Sequence, residues 1–187
     1  MEPEHDVGRG PIADRPYVSI VKTLALVRHA KSNWEDRNLA DRDRPLNGRG
    51  KRDAPLMGRR IAKAGIRPSL IISSPAKRAW STAKIIAREM SYPREFLQRE
   101  HDLYLASLDD LLDVVATQDA GFNSLMLFGH NPGLTEFANL LVPGLTNNVP
   151  TAGVVVVDMD TDEWSIYELP ATRLVLFDYP RKKPQRN

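Results

Sequence analysis

The sequence predicts an α/β protein, a three-layer α/β/α sandwich around a mostly parallel central sheet. Three observations carry that prediction. Short apolar runs recur without alternation, as in strands covered on both faces. Segments of helical period separate them, the order that yields parallel sheets. The longest such runs, Leu24–Val27, Leu125–Phe128 and Val154–Val157, are buried-strand length and far short of the ~20 residues of a membrane helix.

The elements follow in order. Residues 1–21 are acidic and rich in Pro and Gly, and read as a flexible arm. They lack the basic and apolar regions of a signal peptide. The main domain is expected over 22–180, with a basic tail over 181–187. Thr23–Val27 is a buried strand. Ala30–Pro45 is polar and aperiodic, a long loop of the kind that is often functional. Leu46–Gly65 is a helix with Leu56, Met57, Arg60, Ile61 and Ala64 along one face and Gly65 as its stop. Pro68–Ser73 is the second strand. Ser74 and Pro75 suit an N-cap and first helical position, opening a helix to about Met90. Arg94–Gln98 is a short strand and Leu108–Gln118 a helix. Ser124–Phe128 is the third buried strand and Leu134–Leu141 the last helix. Gly153–Asp158 and Trp164–Leu169 are expected to form a hairpin closed through Asp160–Asp162.

Composition narrows the chemistry. The 187 residues include no cysteine, which excludes disulfides, thiolate nucleophiles, zinc fingers and iron–sulfur clusters. Four histidines and no carboxylate cluster at ligand spacing give no metal site, and no P-loop or dinucleotide fingerprint is present. No cofactor is therefore expected. The net charge of +2 conceals an asymmetry: residues 1–99 carry +10, residues 100–168 carry −12, and residues 169–187 carry +4. Such a division suits faces of opposite sign or a basic mouth for an anionic substrate. Basic residues interspersed with acids and few aromatics do not suit nucleic acid. Neither a nucleic-acid nor a membrane partner is expected, and a cytoplasmic location is the default. The sequence leaves oligomeric state open.

Three strand ends carry polar residues, where α/β sheets bind ligands. The first ends in Arg28-His29. The second leads within five residues to Arg78, near the start of its helix. The third ends in Gly129-His130-Asn131-Pro132-Gly133 and a helix start. Two arginines, two histidines and two helix N-termini thus converge on one expected site. Guanidinium forks pair with phosphate oxygens, and helix N-termini offer free N–H groups. A histidine among them can donate a hydrogen bond or attack phosphorus. Asn131, beside His130, joins the phosphate-binding candidates.

The segments VRHAKS, SSPAKRAWSTA and FGHNPGLTE resemble the signature segments of the histidine phosphatase superfamily, with Ala30 where that family usually has glycine. Asp43-Arg-Pro-Leu-Asn-Gly-Arg-Gly50 resembles the segment that follows in the family. The similarity is greatest to the small SixA phosphohistidine phosphatases and spans about residues 22–180. The resemblance implies a phosphoglycerate mutase-like fold, His29 as phosphoryl-accepting nucleophile, Arg28 and Arg78 as the clamp on its oxygens, and His130 as the second histidine at the phosphate.

Two departures refine this. Where many members carry an acidic proton donor, this chain reads Glu100-His-Asp-Leu-Tyr-Leu-Ala-Ser107, with Asp102 the nearest candidate. Glu35 stands where mutase-like members have asparagine, and a carboxylate there would repel a phosphorylated substrate. Lys31, Ser32 and Glu35 are candidates for the pocket entrance. An alkoxide leaving group needs a proton, whereas phosphohistidine protonated on its other ring nitrogen leaves as neutral imidazole. The expected activity is metal-independent hydrolysis of protein phosphohistidine through a phosphohistidine intermediate. The alternatives are a broad phosphomonoesterase on small phosphorylated metabolites and a non-catalytic phosphate-binding module.

Overall fold

The computed structural model describes residues 21–35 and 38–182. The expected N-terminal arm, Val21 apart, and residues 183–187 of the tail lie outside the described residues. The expected three layers are found. Six strands, β1 (Val21–Arg28), β2 (Leu70–Ser73), β3 (Leu97–Arg99), β4 (Ser124–Gly129), β5 (Val154–Asp160) and β6 (Thr172–Asp178), form one sheet in the order β3-β2-β4-β1-β5-β6. The pairs among β1 to β4 are parallel, and β5 and β6 add antiparallel.

Alternation along each strand divides the core. Leu24, Leu26, Leu70, Ile72, Leu125 and Leu127 face one layer, with α3 (Leu108–Ala116) and α4 (Gly133–Leu141). Ala25, Val27, Ile71, Met126 and Phe128 face the other, with α1 (Gly48–Lys63) and α2 (Lys77–Glu89). Both faces are covered, so the strands read as unbroken apolar runs. The chain leaves β1 through α1 on one face and leaves β4 through α4 on the other. β1 and β4 are neighbours, so their carboxyl ends flank a topological switch point, where open α/β sheets form a crevice. No helix among the described residues is long and apolar enough to cross a membrane.

Local chemistry explains the element ends. Asn47 caps α1, its side chain accepting from Gly50 N–H at 2.9 Å. Ser107 and Asp110 form a reciprocal capping box on α3. Residues 94–96 form a 3-10 turn, so of the expected strand Arg94–Gln98 only Leu97 and Gln98 pair, as part of β3. Ser74 does not cap α2. That helix begins at Lys77 after Ala76, and the Ser74 hydroxyl is engaged elsewhere.

The expected hairpin partner is also corrected. β5 pairs with Thr172–Asp178 rather than with Trp164–Leu169. Trp164 and Ile166 are buried in the core layer of α3 and α4 instead of standing in a sheet. The Trp164 indole donates to the Phe122 carbonyl at 2.9 Å, and the Lys22 ammonium lies 5.6 Å from its ring centroid. Lys22 itself is buried and donates to the Ala120 and Phe122 carbonyls. Residues 164–169 therefore add Trp164 and Ile166 to the core instead of a strand to the sheet, and the chain pairs again only after Pro170.

Candidate active site

Strand register builds the site. Arg28 is paired with Gly129 in the parallel β1–β4 ladder, and His29 N–H donates to the Gly129 carbonyl at 3.1 Å. The residues that follow, His29 and His130, therefore emerge side by side, with ring centroids 5.1 Å apart. Ser73 is paired with Phe128, and Ser74 N–H donates to the Phe128 carbonyl at 2.9 Å. That register places the Ser74 hydroxyl 2.8 Å from His130 Nε2. Arg78, on the first turn of α2, is buried beside them.

His29 has a defined tautomer. Its Nδ1 lies 2.7 Å from the Ala30 carbonyl oxygen, which can only accept. Nδ1 therefore carries the proton, and in the neutral ring Nε2 keeps its lone pair. Burial, opposed by that hydrogen bond and assisted by the positive charges of Arg78, Arg28 and Arg44, lowers its pKa to about 4. The ring is neutral near pH 7 and competent as a nucleophile. The Ala30 N–H donates to Thr82 Oγ1 at 3.0 Å, which fixes the His29–Ala30 peptide on α2.

His130 is neutral as well. Burial, with lesser contributions from His29 and Arg78, brings its pKa to about 3. Its Nδ1 is buried and has no hydrogen-bond partner among the described residues. The Ser74 hydroxyl oxygen accepts from the Ala76 N–H at 3.3 Å, and where its hydrogen is given to Nε2, Nδ1 carries the ring hydrogen and is free to donate. Tyr104 packs edge-on against the His130 ring, centroids 5.7 Å apart at 88°.

The arginines are anchored. Arg28 Nη1 donates to Asn148 Oδ1 at 3.1 Å and to the Val149 carbonyl at 2.7 Å. Asn131 Nδ2 donates to the same two acceptors, at 2.8 and 3.2 Å, so its amide braces the 131–149 loops beside Arg28. Arg78 is held by one residue of the long loop. Its Nη2 donates to Asp41 Oδ2 at 2.8 Å and its Nη1 to the Asp41 backbone carbonyl at 2.5 Å.

Asp41 was not among the expected site residues. It lies on a 3-10 turn, Asp41–Asp43, inside the segment expected as a long, often functional loop. Its carboxylate also accepts from Arg44 at 2.7 Å and from the Tyr104 hydroxyl at 2.8 Å. Burial raises its pKa, but Tyr104, Arg78 and Arg44 together outweigh that and bring it to about 2. Only the register of Ser74 with β4 could have been found from sequence. The contacts of Asp41, Tyr104 and Thr82 have no local signature.

The expected entrance residues divide. Ser32 is 3% exposed and accepts from Arg44 Nη2 at 2.6 Å, so it is a buried brace and not an entrance residue. Glu35 is exposed and accepts from Asn33 Nδ2 at 3.1 Å. Lys31 lines a hollow that also includes Arg28. Asp102 is exposed on the 3-10 turn His101–Leu103, two residues from Tyr104. Among the described residues no His, Asp or Glu group has the arrangement of a metal site.

Comparisons with known proteins agree with the geometry. Residues 24–115 match the family model of the histidine phosphatase superfamily (branch 1). An uncharacterized chloroplastic protein of Arabidopsis thaliana is 30% identical over 162 residues, covering 81% of this chain and 73% of its own length. A crystal structure from Agrobacterium tumefaciens, described as phosphohistidine phosphatase SixA, superposes with a TM-score of 0.73 at 28% identity, covering 85% of this chain and 98% of that one. The fold, without close sequence similarity, is shared by mycobacterial glucosyl-3-phosphoglycerate phosphatase, with a TM-score of 0.58, 16% identity and coverage of 82% and 97%. The fold and these matches support phosphatase activity, and the chain belongs to the histidine phosphatase superfamily.

Proposed function

We propose that the protein is a metal-independent phosphohistidine phosphatase, working through a phosphorylated His29. One observation carries the reading: a neutral His29 with Nδ1–H fixed on the Ala30 carbonyl and Nε2 unprotonated, its ring centroid 5.1 Å from that of His130. Likeness to the Agrobacterium structure over 98% of that chain supports the substrate class.

The steps balance. His29 Nε2 attacks phosphorus as the bond from phosphorus to the substrate imidazole breaks. The electron pair of that bond stays on the departing nitrogen, and the other ring nitrogen already carries a proton. The substrate leaves as neutral imidazole. Positive charge arising on the His29 ring is met by the Ala30 carbonyl through Nδ1–H. Water then attacks phospho-His29, the electron pair of the P–N bond returns to Nε2, and phosphate departs carrying both of the water's protons.

Phosphoryl transfer depends on positioning and charge compensation, which Arg28 and Arg78 supply. The Nδ1–H of His130 donates to a phosphoryl oxygen. The test is hydrolysis of a histidine-phosphorylated protein by wild type and by His29→Ala. Release of phosphate by wild type alone is expected. Equal release by both would overturn the reading.

A further inference from the structure

A hollow of about 380 Å³ is lined by Arg28, and by Lys31, Arg49 and Arg181 as well; neither His29 nor His130 lines it. The one carboxylate in it, Asp53, lies 3.6 Å from Arg49 Nε. Arg49 Nη2 donates to Thr151 Oγ1 at 3.2 Å. The Nε atoms of Arg28 and Arg49 are buried and have no hydrogen-bond partner among the described residues. Four cations thus line the hollow with one acid, which is ion-paired to Arg49, and neither buried Nε has an acceptor within hydrogen-bond distance among the described residues.

The sequence around the hollow goes against local preference. Arg49 and Lys51 lie in the first turn of α1, which holds no acidic residue, and Arg52 follows directly. The free N–H groups there already present the positive end of the helix, and cations at that end are disfavoured. Sequences break such local rules mainly where function requires it. Neither fold nor phosphoryl clamp needs Arg49, since Asn47 caps the helix and Arg28 and Arg78 flank the histidines. An anion in the hollow would satisfy the orphaned nitrogens and offset the crowded positive charge.

We propose that this hollow is a subsite for a second anionic group of the substrate, a carboxylate or second phosphate beside the phosphoryl group being removed. The proposal rests on the phosphatase reading of the site. It deepens that reading by naming the substrate class: phosphorylated molecules with two anionic groups, with Arg28 between the two subsites. In a protein substrate the second anion is an Asp or Glu near the phosphohistidine. In a small substrate it belongs to the molecule itself.

The test compares methylphosphonate with phosphonoacetate, which differ by one carboxylate, as ligands at low ionic strength. Wild type should bind phosphonoacetate about ten-fold tighter, the scale of one charge-assisted contact. Arg49→Gln and Lys31→Gln should each reduce that ratio several-fold. Lys63→Gln, at the far end of α1, should leave the ratio as in wild type. A wild-type ratio near one, or a ten-fold ratio that survives both subsite variants, would overturn the subsite while leaving the phosphatase reading intact. Failure of wild type to bind methylphosphonate or to hydrolyse p-nitrophenyl phosphate would overturn both. Phosphohistidine peptides with Glu or Gln neighbours distinguish the source. Faster turnover of the Glu peptide assigns a protein substrate, and equal turnover with the phosphonate ratio intact assigns a small one.

Discussion

Asp41 and Arg78 grip each other twice, through the carboxylate at 2.8 Å and through the Asp41 backbone carbonyl at 2.5 Å. Arg78 keeps only 4% of its side-chain surface exposed, while Asp41 keeps 42%. The carboxylate thus orients a buried guanidinium from the solvent side. It also competes with any phosphate for that charge.

Asp41→Asn should separate these effects. Removing the negative charge leaves Arg78 and Arg44 without their counter-ion, at a cost of about 1–2 kcal/mol, below that of breaking a fully buried pair. Phosphate should then stabilise the variant more than it stabilises wild type, because it no longer meets a resident anion. Thermal unfolding with and without inorganic phosphate reads both effects. A smaller phosphate-induced shift in the variant would mean that Asp41 only positions Arg78.

His29→Ala should abolish the phosphoenzyme, trapped by rapid quench as an acid-labile, base-stable adduct. His130→Ala should retain the adduct and lower kcat by about 10²–10³-fold, the usual loss for one transition-state donor. Ser74→Ala, which removes the partner of His130 Nε2, should lower kcat less than His130→Ala. An active His29→Ala variant would falsify the covalent mechanism.

Much of this site was legible because it depends on strand ends. Arg28, His29 and His130 follow apolar runs, and parallel register brings such ends together without long-range information. The partners of Arg78 were not legible. Asp41 reaches it from an aperiodic loop, and Tyr104 reaches Asp41 from a short turn 63 residues further on. The Trp164–Leu169 strand failed for a related reason. Apolar content there reflects burial of Trp164 and Ile166 against the core, which period alone cannot distinguish from pairing.

Gly50 tests how far the fold controls the site. A Cβ at Gly50 would lie 2.2 Å from the Lys31 carbonyl oxygen, two residues past His29. Gly50→Ala should cost roughly 2 kcal/mol or more through this overlap and lower activity by displacing the His29 loop. A Cβ at Gly48 meets only the Arg52 side chain, at 3.6 Å, so Gly48→Ala should stay within about 0.5 kcal/mol of wild type. Denaturant melts and activity measured together check the pair. Equal behaviour of the two variants would contradict the close packing.

Stability should fall on mild acidification. His29 and His130 have folded pKa values of about 4 and about 3, against 6.5 for the solvent-exposed side chain of the unfolded state. Between those values the unfolded chain binds more protons, so stability rises with pH and is fully present above about 6.5. Each histidine contributes a slope of up to roughly 1.4 kcal/mol per pH unit inside its window. Asp41, held down to about 2, loses its contribution only below its ordinary value, at lower pH. Urea melts at pH 7.5 and 5.5 should show wild type weaker at 5.5, and His29→Asn and His130→Asn should each flatten the difference. Identical wild-type stability at both pH values would refute the neutral assignment of the histidines.

The protonation state of the carboxylates decides which leaving groups the site can expel. Asp41 is the acid in contact with Arg78, and it is ionised throughout the neutral range, so it has no proton to give. Asp102 is exposed on its short turn and makes no side-chain hydrogen bond or ion pair among the described residues. A leaving alkoxide would need a proton worth about 10²–10⁴-fold in rate, whereas imidazole protonated on its second nitrogen departs neutral. Asp102→Asn should therefore leave phosphohistidine turnover within a few-fold of wild type. Across substrates, phosphohistidine and p-nitrophenyl phosphate should be hydrolysed far faster than an alkyl phosphate such as glycerol phosphate, because their leaving groups need no acid. A large, pH-dependent loss in Asp102→Asn on phosphohistidine, or equal rates for alkyl and aryl phosphates, would require a proton donor at this site. Either result would favour a general phosphomonoesterase.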